Sequence, residues 1–150
     1  GTVGMLEVPA GSINVVPGRC RFSLDIRATT NEVRDACAAD VRAELARLCE
    51  RRGLHFKLEE TMRAAAAPSD AAWQQRWERA LQSLGLPLHR MPSGAGHDSQ
   101  RMATICRTGM LFVQSRGGRS HTPEEYTAPE HAAAGIAVLA ATLHRLAYDE

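Results

Sequence analysis

The order of apolar and polar positions predicts a β-rich segment at the start of the chain. Residues 2–8 and 13–16 are largely apolar runs separated by a turn of proline, alanine and glycine, and together they predict a hairpin. Residues 19–27 then alternate in character, so the strand they predict has one apolar face. That face comprises Cys20, Phe22, Leu24 and Ile26. Asp25 and Arg27 therefore lie on the opposite face.

A long amphipathic helix follows this strand. Thr29 and Glu32 form a capping-box pattern, and apolar side chains recur every three or four residues until Gly53. The apolar stripe comprises Val33, Cys37, Val41, Leu45 and Leu48. Residues 55–59 then predict a returning strand, so the expected order of elements in this part of the chain is β-β-α-β.

An alanine-rich linker separates this first domain, residues 1–66, from a second domain, residues 67–150. In the second domain, a helix over 70–84 carries a stripe of Trp73, Trp77, Ala80, Leu81 and Leu84. The apolar run 110–113 predicts a buried central strand. A last helix with Pro129 at its first position has a stripe of Ala132, Ile136, Leu139, Leu143 and Leu146. The predicted fold class is α/β.

Composition narrows the class of protein. The 150 residues are 44% hydrophobic and 23% charged with a net charge of +1, so the chain can bury a sizeable core. Because the charge is nearly neutral and the basic residues are scattered, no nucleic-acid partner is expected. No apolar run approaches the roughly 20 residues that cross a bilayer, so no membrane partner is expected either.

The cysteines are widely spaced and form no CxxC pair. They are Cys20, Cys37, Cys49 and Cys106. This spacing is unlike a disulfide framework or a thiolate zinc site, so it predicts free, buried thiols and a cytoplasmic location.

A glycine-rich loop in the second half of the chain is a first candidate for chemistry. Residues 93–98 read Ser-Gly-Ala-Gly-His-Asp and precede a short helix that begins near Asp98. Small residues let a ligand approach the backbone, and a helix N-terminus offers N–H donors to a developing negative charge. His97 in this loop is placed to hydrogen-bond a polarised carbonyl. In the alternative interpretation, His97 only caps the following helix.

A second candidate is the string Ser-His-Thr-Pro-Glu-Glu at 120–125, which follows the predicted central strand and a glycine loop. Open α/β sheets present ligand-binding residues at such places. His121 is a candidate zinc ligand, and a nearby carboxylate can orient its ring. The alternative is an exposed loop histidine that binds no metal.

A third candidate pairs Asn14 with Arg27 on consecutive predicted strands. An arginine binds a carboxylate through two parallel hydrogen bonds, and an asparagine amide can complete the recognition. In the alternative interpretation, Arg27 pairs with Asp25 or with a carboxylate of the helix.

Five short sequence motifs along the chain form a recognisable pattern when taken together. They are Asn-Val-Val-Pro-Gly at 14–18, Leu-Asp-Ile-Arg at 24–27, Ser-Gly-Ala-Gly-His-Asp at 93–98, Gly-Met-Leu-Phe-Val at 109–113 and Ser-His-Thr-Pro-Glu-Glu at 120–125. In this order, essentially the whole chain resembles the C-terminal portion of the hydantoinase/carbamoylase-type amidases. These binuclear-metal hydrolases include N-carbamoyl-L-amino-acid hydrolases, allantoate amidohydrolases and β-ureidopropionases.

This resemblance implies a fold in two parts. Residues 1–66 are implied to be a β-β-α-β lid portion that is also used for homodimerisation. Residues 67–150 are implied to be the C-terminal part of an α/β catalytic domain like that of the metallopeptidases.

The resemblance also implies roles for individual residues of the second part. His121 matches the family's last metal ligand, and Glu125 matches the acidic residue of the same motif, for which we infer a supporting role. His97, together with Gly96, matches residues that contact the substrate and stabilise the tetrahedral intermediate. His97 is therefore the implied catalytic residue of this chain.

In the first part, Asn14 and Arg27 match the lid residues that hold the substrate carboxylate, typically in the active site of the neighbouring subunit. The implied substrate is a small ureido carboxylate, either an N-carbamoyl-L-amino acid or allantoate. Its hydrolysis releases ammonia, and also carbon dioxide when the substrate is a carbamoyl compound.

The remaining metal ligands and the general-base glutamate of the resembling enzymes lie in an N-terminal half that these 150 residues do not match. We therefore expect two zinc or manganese ions in the full-length enzyme, none held tightly by this chain alone, and no activity from this chain alone. Two alternatives stay open. The isolated chain is a non-catalytic dimerisation and folding fragment, or the parent protein is a related aminoacylase or dipeptidase.

Overall fold

The computed structural model describes residues 1–148, which divide into two compact units. Unit 1 comprises residues 1–66 together with the loop 93–95, and unit 2 comprises residues 67–92 and the chain from Gly96 onward. The elements in chain order are β1 (Leu6–Glu7), β2 (Arg21–Phe22), α1 (Asn31–Arg52), α2 (Ala71–Ser83), α3 (Asp98–Met102), a 3₁₀ turn (Arg116–Gly118) and α4 (Pro129–Tyr148). None of the helices in residues 1–148 combines the length and the apolar character of a membrane span.

The small sheet of unit 1 pairs β1 with β2 in antiparallel fashion, with Leu6 opposite Phe22. The predicted hairpin between residues 2–8 and 13–16 is therefore wrong. Residues 12–15 instead form a turn in which the Val15 amide donates to the Ser12 carbonyl over 3.5 Å. Because Ser12 and Val15 bond to each other, this segment does not form a ladder with β1.

Helix α1 begins and ends with local capping interactions. The Oγ1 of Thr30 accepts a hydrogen bond from the Val33 amide over 3.3 Å, so the N-cap is Thr30 and not the predicted Thr29. Gly53 ends the helix in the left-handed conformation with φ 64°. Of the predicted apolar stripe, Val41, Leu45 and Leu48 are half-buried, whereas Val33 and Cys37 are exposed.

The predicted returning strand at 55–59 is not formed, so the described order of elements in unit 1 is β-β-α. A strand needs a neighbour to accept its ladder hydrogen bonds, and no other described residue pairs with this segment. The chain returns along α1 through side-chain contacts instead. The Asn31 carbonyl oxygen Oδ1 accepts from the Ala66 amide over 2.9 Å, and Arg34 donates to the Ala64 carbonyl.

In unit 2, α2 packs against α4, and these two helices carry the fully buried residues among those described: Ala80, Val138 and Thr142. The N-cap of α2 is Asp70, whose carboxylate accepts from the amides of Ala72 and Trp73 over 3.0 and 3.2 Å. The predicted stripe of α2 is confirmed for Trp73, Trp77, Ala80 and Leu81. Leu84, its last member, is exposed.

The predicted stripe of α4 is wrong in its register. All four of its large members are exposed: Ile136, Leu139, Leu143 and Leu146. The buried face runs through Val138 and Thr142 beside the small residue Gly135. A Cβ atom on Gly135 would lie 2.5 Å from Cγ1 of Val113, so the glycine allows the neighbouring chain to approach α4 closely.

Two further expectations need correction. Residues 110–113 form no strand, because no described segment lies alongside them as a hydrogen-bonded partner, and Phe112 and Val113 are exposed. The four cysteines are free, as predicted, but their predicted burial is wrong: Cys20, Cys37 and Cys106 are exposed and Cys49 is half-buried.

Candidate functional site

Arg27 presents its guanidinium at the surface of unit 1, five residues after β2 ends. Its Nε donates to both carboxylate oxygens of Asp25 over 3.0 Å, and its Nη2 donates to Oδ2 over 2.7 Å. Its Nη1 donates to the carbonyl oxygen of Gly94 over 3.0 Å. The alternative in which Arg27 pairs with Asp25 is thus the observed geometry, and the role of Arg27 toward a substrate stays a prediction.

The two charges of this pair stabilise each other. The hydrogen bonds from Arg27 lower the pKa of the Asp25 carboxyl below its ordinary value, and the same bonds raise the pKa of Arg27. Both groups are therefore ionised throughout the neutral pH range. The guanidinium keeps its full positive charge while one of its edges is already bound.

Asn14 lies in the turn at 12–15 and not on a strand. Its side-chain oxygen Oδ1 accepts a hydrogen bond from Ser12 Oγ over 2.9 Å, which fixes the orientation of the amide. The structure therefore binds Asn14 within its own turn and does not join it to Arg27. The amide nitrogen still offers two N–H donors to a ligand.

The loop at 93–98 is divided between the two units. Residues 93–95 belong to unit 1, where the Ala95 amide donates to Ser93 Oγ over 3.2 Å and the Gly94 carbonyl accepts from Arg27. Gly96 is exposed and begins the next part of unit 2. A Cβ at Gly96 would have as its nearest neighbour an atom of Gln100 at 4.0 Å, so the backbone is open to approach on this side.

His97 is half-buried at the N-cap position of α3. His97 thus occupies the cap position, as in the alternative interpretation, but its imidazole makes no capping hydrogen bond to that helix, and its role toward a substrate stays a prediction. The ring instead meets the edge of Phe112, with centroids 5.7 Å apart and planes inclined by 69°. This contact restricts the ring orientation while leaving the residue partly accessible.

His121 lies in an exposed loop beyond the 3₁₀ turn and has a backbone φ of 57°, in the left-handed region. Its backbone N–H donates to Oε2 of Glu125 over 2.8 Å. The structure thus brings Glu125 to the main chain of His121, whereas a carboxylate that orients a ligating ring would contact the other ring nitrogen.

The described residues offer few clustered side chains for a metal ion. Within residues 1–148, no group of three histidine, cysteine, aspartate or glutamate side chains is arranged to hold one. A zinc site requires three or four protein ligands, and His121 supplies one candidate. The described residues therefore do not fit a complete metal centre.

Two groups at this site were missed in the sequence analysis as possible functional elements. The sequence indicates Asp25 only as an alternative partner of Arg27, and nothing in it points to the Gly94 carbonyl. The spacing of Asp25 and Arg27 was an available signal, because side chains two positions apart on an extended chain point to the same side. No comparable signal marks the carbonyl of Gly94, which meets Arg27 across 67 positions of sequence.

Known proteins resemble this chain over nearly all of its length. The model of peptidase family M20/M25/M40 matches residues 3–145. The N-carbamoyl-L-amino acid amidohydrolase of Geobacillus stearothermophilus is 41% identical over 152 residues, which cover 100% of this chain and 37% of that relative. The allantoate amidohydrolase of Bacillus subtilis is 36% identical over 148 residues, covering 98% of this chain and 36% of that relative.

A solved structure also resembles this chain. A hydantoinase/carbamoylase family amidase from Burkholderia ambifaria has a TM-score of 0.83 and 28% identity, over 96% of this chain and 34% of that chain. This likeness fits the predicted α/β class. The chain spans about a third of the length of the relatives it matches. Because the family model covers almost all of its residues, the chain belongs to peptidase family M20/M25/M40.

Proposed function

We propose that the protein containing this segment is an amidohydrolase that cleaves the ureido C–N bond of an N-carbamoyl-L-amino acid or of allantoate. The names of two relatives, an N-carbamoyl-L-amino acid amidohydrolase and an allantoate amidohydrolase, support this reaction class. The observation that carries the proposal is the guanidinium of Arg27, whose side chain is 58% exposed. Both substrates combine a carboxylate with a ureido group, and an exposed guanidinium is suited to the carboxylate.

The proposed roles assign different residues to the carboxylate end and to the ureido end of the substrate. Arg27 of the neighbouring subunit binds the carboxylate, and the amide N–H groups of Asn14 from that same subunit add hydrogen bonds to it. Gly96 leaves room for the substrate beside the backbone, and His97 donates a hydrogen bond to the ureido oxygen as water adds to the carbonyl carbon. Cleavage of the C–N bond then releases ammonia, and carbon dioxide follows from a carbamoyl substrate.

We also propose that His121 contributes one ligand to a centre of two zinc or manganese ions in the whole enzyme. Such a centre supplies Lewis-acid catalysis for amide hydrolysis when it is bound. Its other ligands are not among the residues described. On this proposal the isolated chain is inactive, because one imidazole does not hold a metal ion firmly.

The test is Arg27→Ala in the whole enzyme, assayed by ammonia release from an N-carbamoyl-L-amino acid, allantoate and 3-ureidopropionate. The KM for the substrate is expected to rise at least about tenfold, because the substrate carboxylate loses its charged partner. Arg19→Ala is the matched control, since Arg19 is an exposed arginine of the same unit. An unchanged KM for all three compounds, or no hydrolysis of any by the unmodified enzyme, would contradict the proposal.

A second proposal concerns association: we propose that unit 1 pairs with a second copy of itself. The fully buried residues of the described chain all lie in unit 2, whereas the sheet of unit 1 has two strands and exposes Leu6 and Phe22. Exposed apolar side chains beside unpaired strand edges are typical of a dimer surface. Sedimentation of the whole enzyme tests this, with Leu6→Glu expected to give monomers and Ile13→Glu, outside the sheet, expected to leave the dimer intact.

A further inference from the structure

The guanidinium of Arg27 uses three of its five N–H groups in hydrogen bonds, one on each nitrogen. Its hydrogen bonds to Asp25 and Gly94 use the Nε–H, one N–H of Nη2 and one N–H of Nη1. An arginine has five N–H groups. Among the described residues, one N–H on each terminal nitrogen is therefore without a hydrogen-bond acceptor and is available to an anionic ligand.

Asp25 is itself held rigidly by the backbone. Its amide donates to the Thr2 carbonyl over 2.9 Å, and its carbonyl accepts from the Thr2 amide over the same distance. The carboxylate thus projects from a fixed point of the chain. Because it binds both Nε and Nη2, it fixes the plane of the guanidinium as well as its position.

Because this ion pair is exposed, its main role is not to stabilise the fold. The side chains of Arg27 and Asp25 are 58% and 49% exposed. Ion pairs at such exposure contribute little to stability, because water and salt screen them. This geometry instead orients a long side chain that must contact a ligand.

We propose that Asp25 is a positioning residue that orients Arg27 so that its two remaining N–H groups receive the substrate carboxylate. This inference rests on the proposed function, since it requires Arg27 to bind the substrate. Without Asp25, the guanidinium samples several rotamers, and part of the binding energy is used to order it. The opposite effect, in which Asp25 competes with the substrate for Arg27, predicts tighter binding when Asp25 is neutralised.

The test is Asp25→Asn in the whole enzyme, with KM and kcat measured on the substrate that the enzyme hydrolyses best. We expect KM to rise about tenfold with kcat nearly unchanged, because ordering Arg27 affects binding more than the later chemical step. Asp40→Asn is the matched control, since it removes an exposed carboxylate from α1 in the same unit. Asp25→Glu, which keeps the charge, is expected to restore part of the affinity.

The double variant Asp25→Asn with Arg27→Ala separates positioning from a general structural defect. If Asp25 acts through Arg27, the double variant has the same KM as Arg27→Ala alone. A lower or unchanged KM in Asp25→Asn overturns the inference, as does a further rise in the double variant. If Asp25→Asn does not fold, Asp25→Ser takes its place: a rise in KM supports the inference, and an unchanged or lower KM overturns it.

The two proposals fail in distinguishable ways. If Arg27→Ala raises KM and Asp25→Asn does not, the positioning inference is wrong and the carboxylate role of Arg27 stands. If Arg27→Ala leaves KM unchanged, the carboxylate role fails and the positioning inference fails with it.

Discussion

At the scale of single residues, the loop around His121 shows how a carboxylate can act on a histidine without touching its ring. A φ of 57° is uncommon for a residue other than glycine, and it persists only where the surroundings support it. Here the Glu125 carboxylate accepts the His121 amide over 2.8 Å. Glu125 therefore stabilises the backbone from which the imidazole projects.

This contact leads to a prediction about metal content in the whole enzyme. Glu125→Ala is expected to weaken metal affinity by roughly 10- to 100-fold, the range for residues that support a ligand. Glu125→Gln is expected to be nearly neutral, because its amide oxygen can still accept the His121 N–H. His121→Ala is expected to reduce metal content more than either, as measured by elemental analysis after dialysis.

His89→Ala is a suitable control for these variants, since His89 is an exposed histidine of the same unit. Full metal occupancy in His121→Ala would remove that residue from the proposed ligands. Equal losses in Glu125→Gln and Glu125→Ala would show that the negative charge, and not the hydrogen bond to the amide, is what matters.

At the scale of elements, the sequence located the helices much better than the strands. The signals for α1 and α2 are local: Thr30 and Asp70 bind amides of their own first turns, and Gly53 adopts the conformation that ends α1. A strand is defined by a partner that can lie far away in sequence. Residues 55–59 and 110–113 have suitable apolar character, but no described segment pairs with them.

The contacts of the candidate site are likewise only partly predictable from the sequence. The spacing of Asp25 and Arg27 placed both side chains on one face, and their contact follows from that spacing. The link from Arg27 to the Gly94 carbonyl and the link from Glu125 to the His121 amide both involve backbone atoms. Side-chain identity carries no information on such contacts, so sequence analysis could name the residues but not their partners.

Gly109 provides a test of packing between elements within unit 2. A Cβ at this position would lie 2.7 Å from Cβ of Trp73 and 3.1 Å from Nε1 of Trp77. Cβ of Trp73 is fixed to the α2 backbone and cannot rotate away. Gly109→Ala is therefore expected to lower the free energy of unfolding by about 1–3 kcal/mol, the usual cost of overpacking.

Urea denaturation followed by tryptophan fluorescence measures this effect, because Trp73 and Trp77 are the two tryptophans of the chain. Gly18→Ala is the control, since a Cβ at Gly18 would meet no atom within 4 Å. Equal stabilities of the two variants would mean that α2 and the segment at Gly109 do not pack as described.

At the scale of the whole molecule, burial is distributed unevenly along the chain. The fully buried residues described, Ala80, Val138 and Thr142, all belong to α2 or α4. Helix α1 contains none, although it is the longest helix within residues 1–148, at 22 residues. Its surface carries ion pairs instead, such as Arg47 with Glu44, which are exposed and contribute little.

This distribution of buried residues predicts which helix unfolds locally first. Backbone amides resist exchange with solvent deuterium when breaking their hydrogen bonds also disrupts packing, and helices with few buried contacts open at low free energy. In the 150-residue chain, amides of α2 and α4 are therefore expected to exchange at least about tenfold more slowly than those of α1. Hydrogen exchange followed by mass spectrometry resolves the three helices on separate peptides. If the amides of α1 exchange as slowly as those of α4, α1 is covered in solution. Dilution then shows whether a second copy covers it, because protection that comes from a second copy falls with concentration.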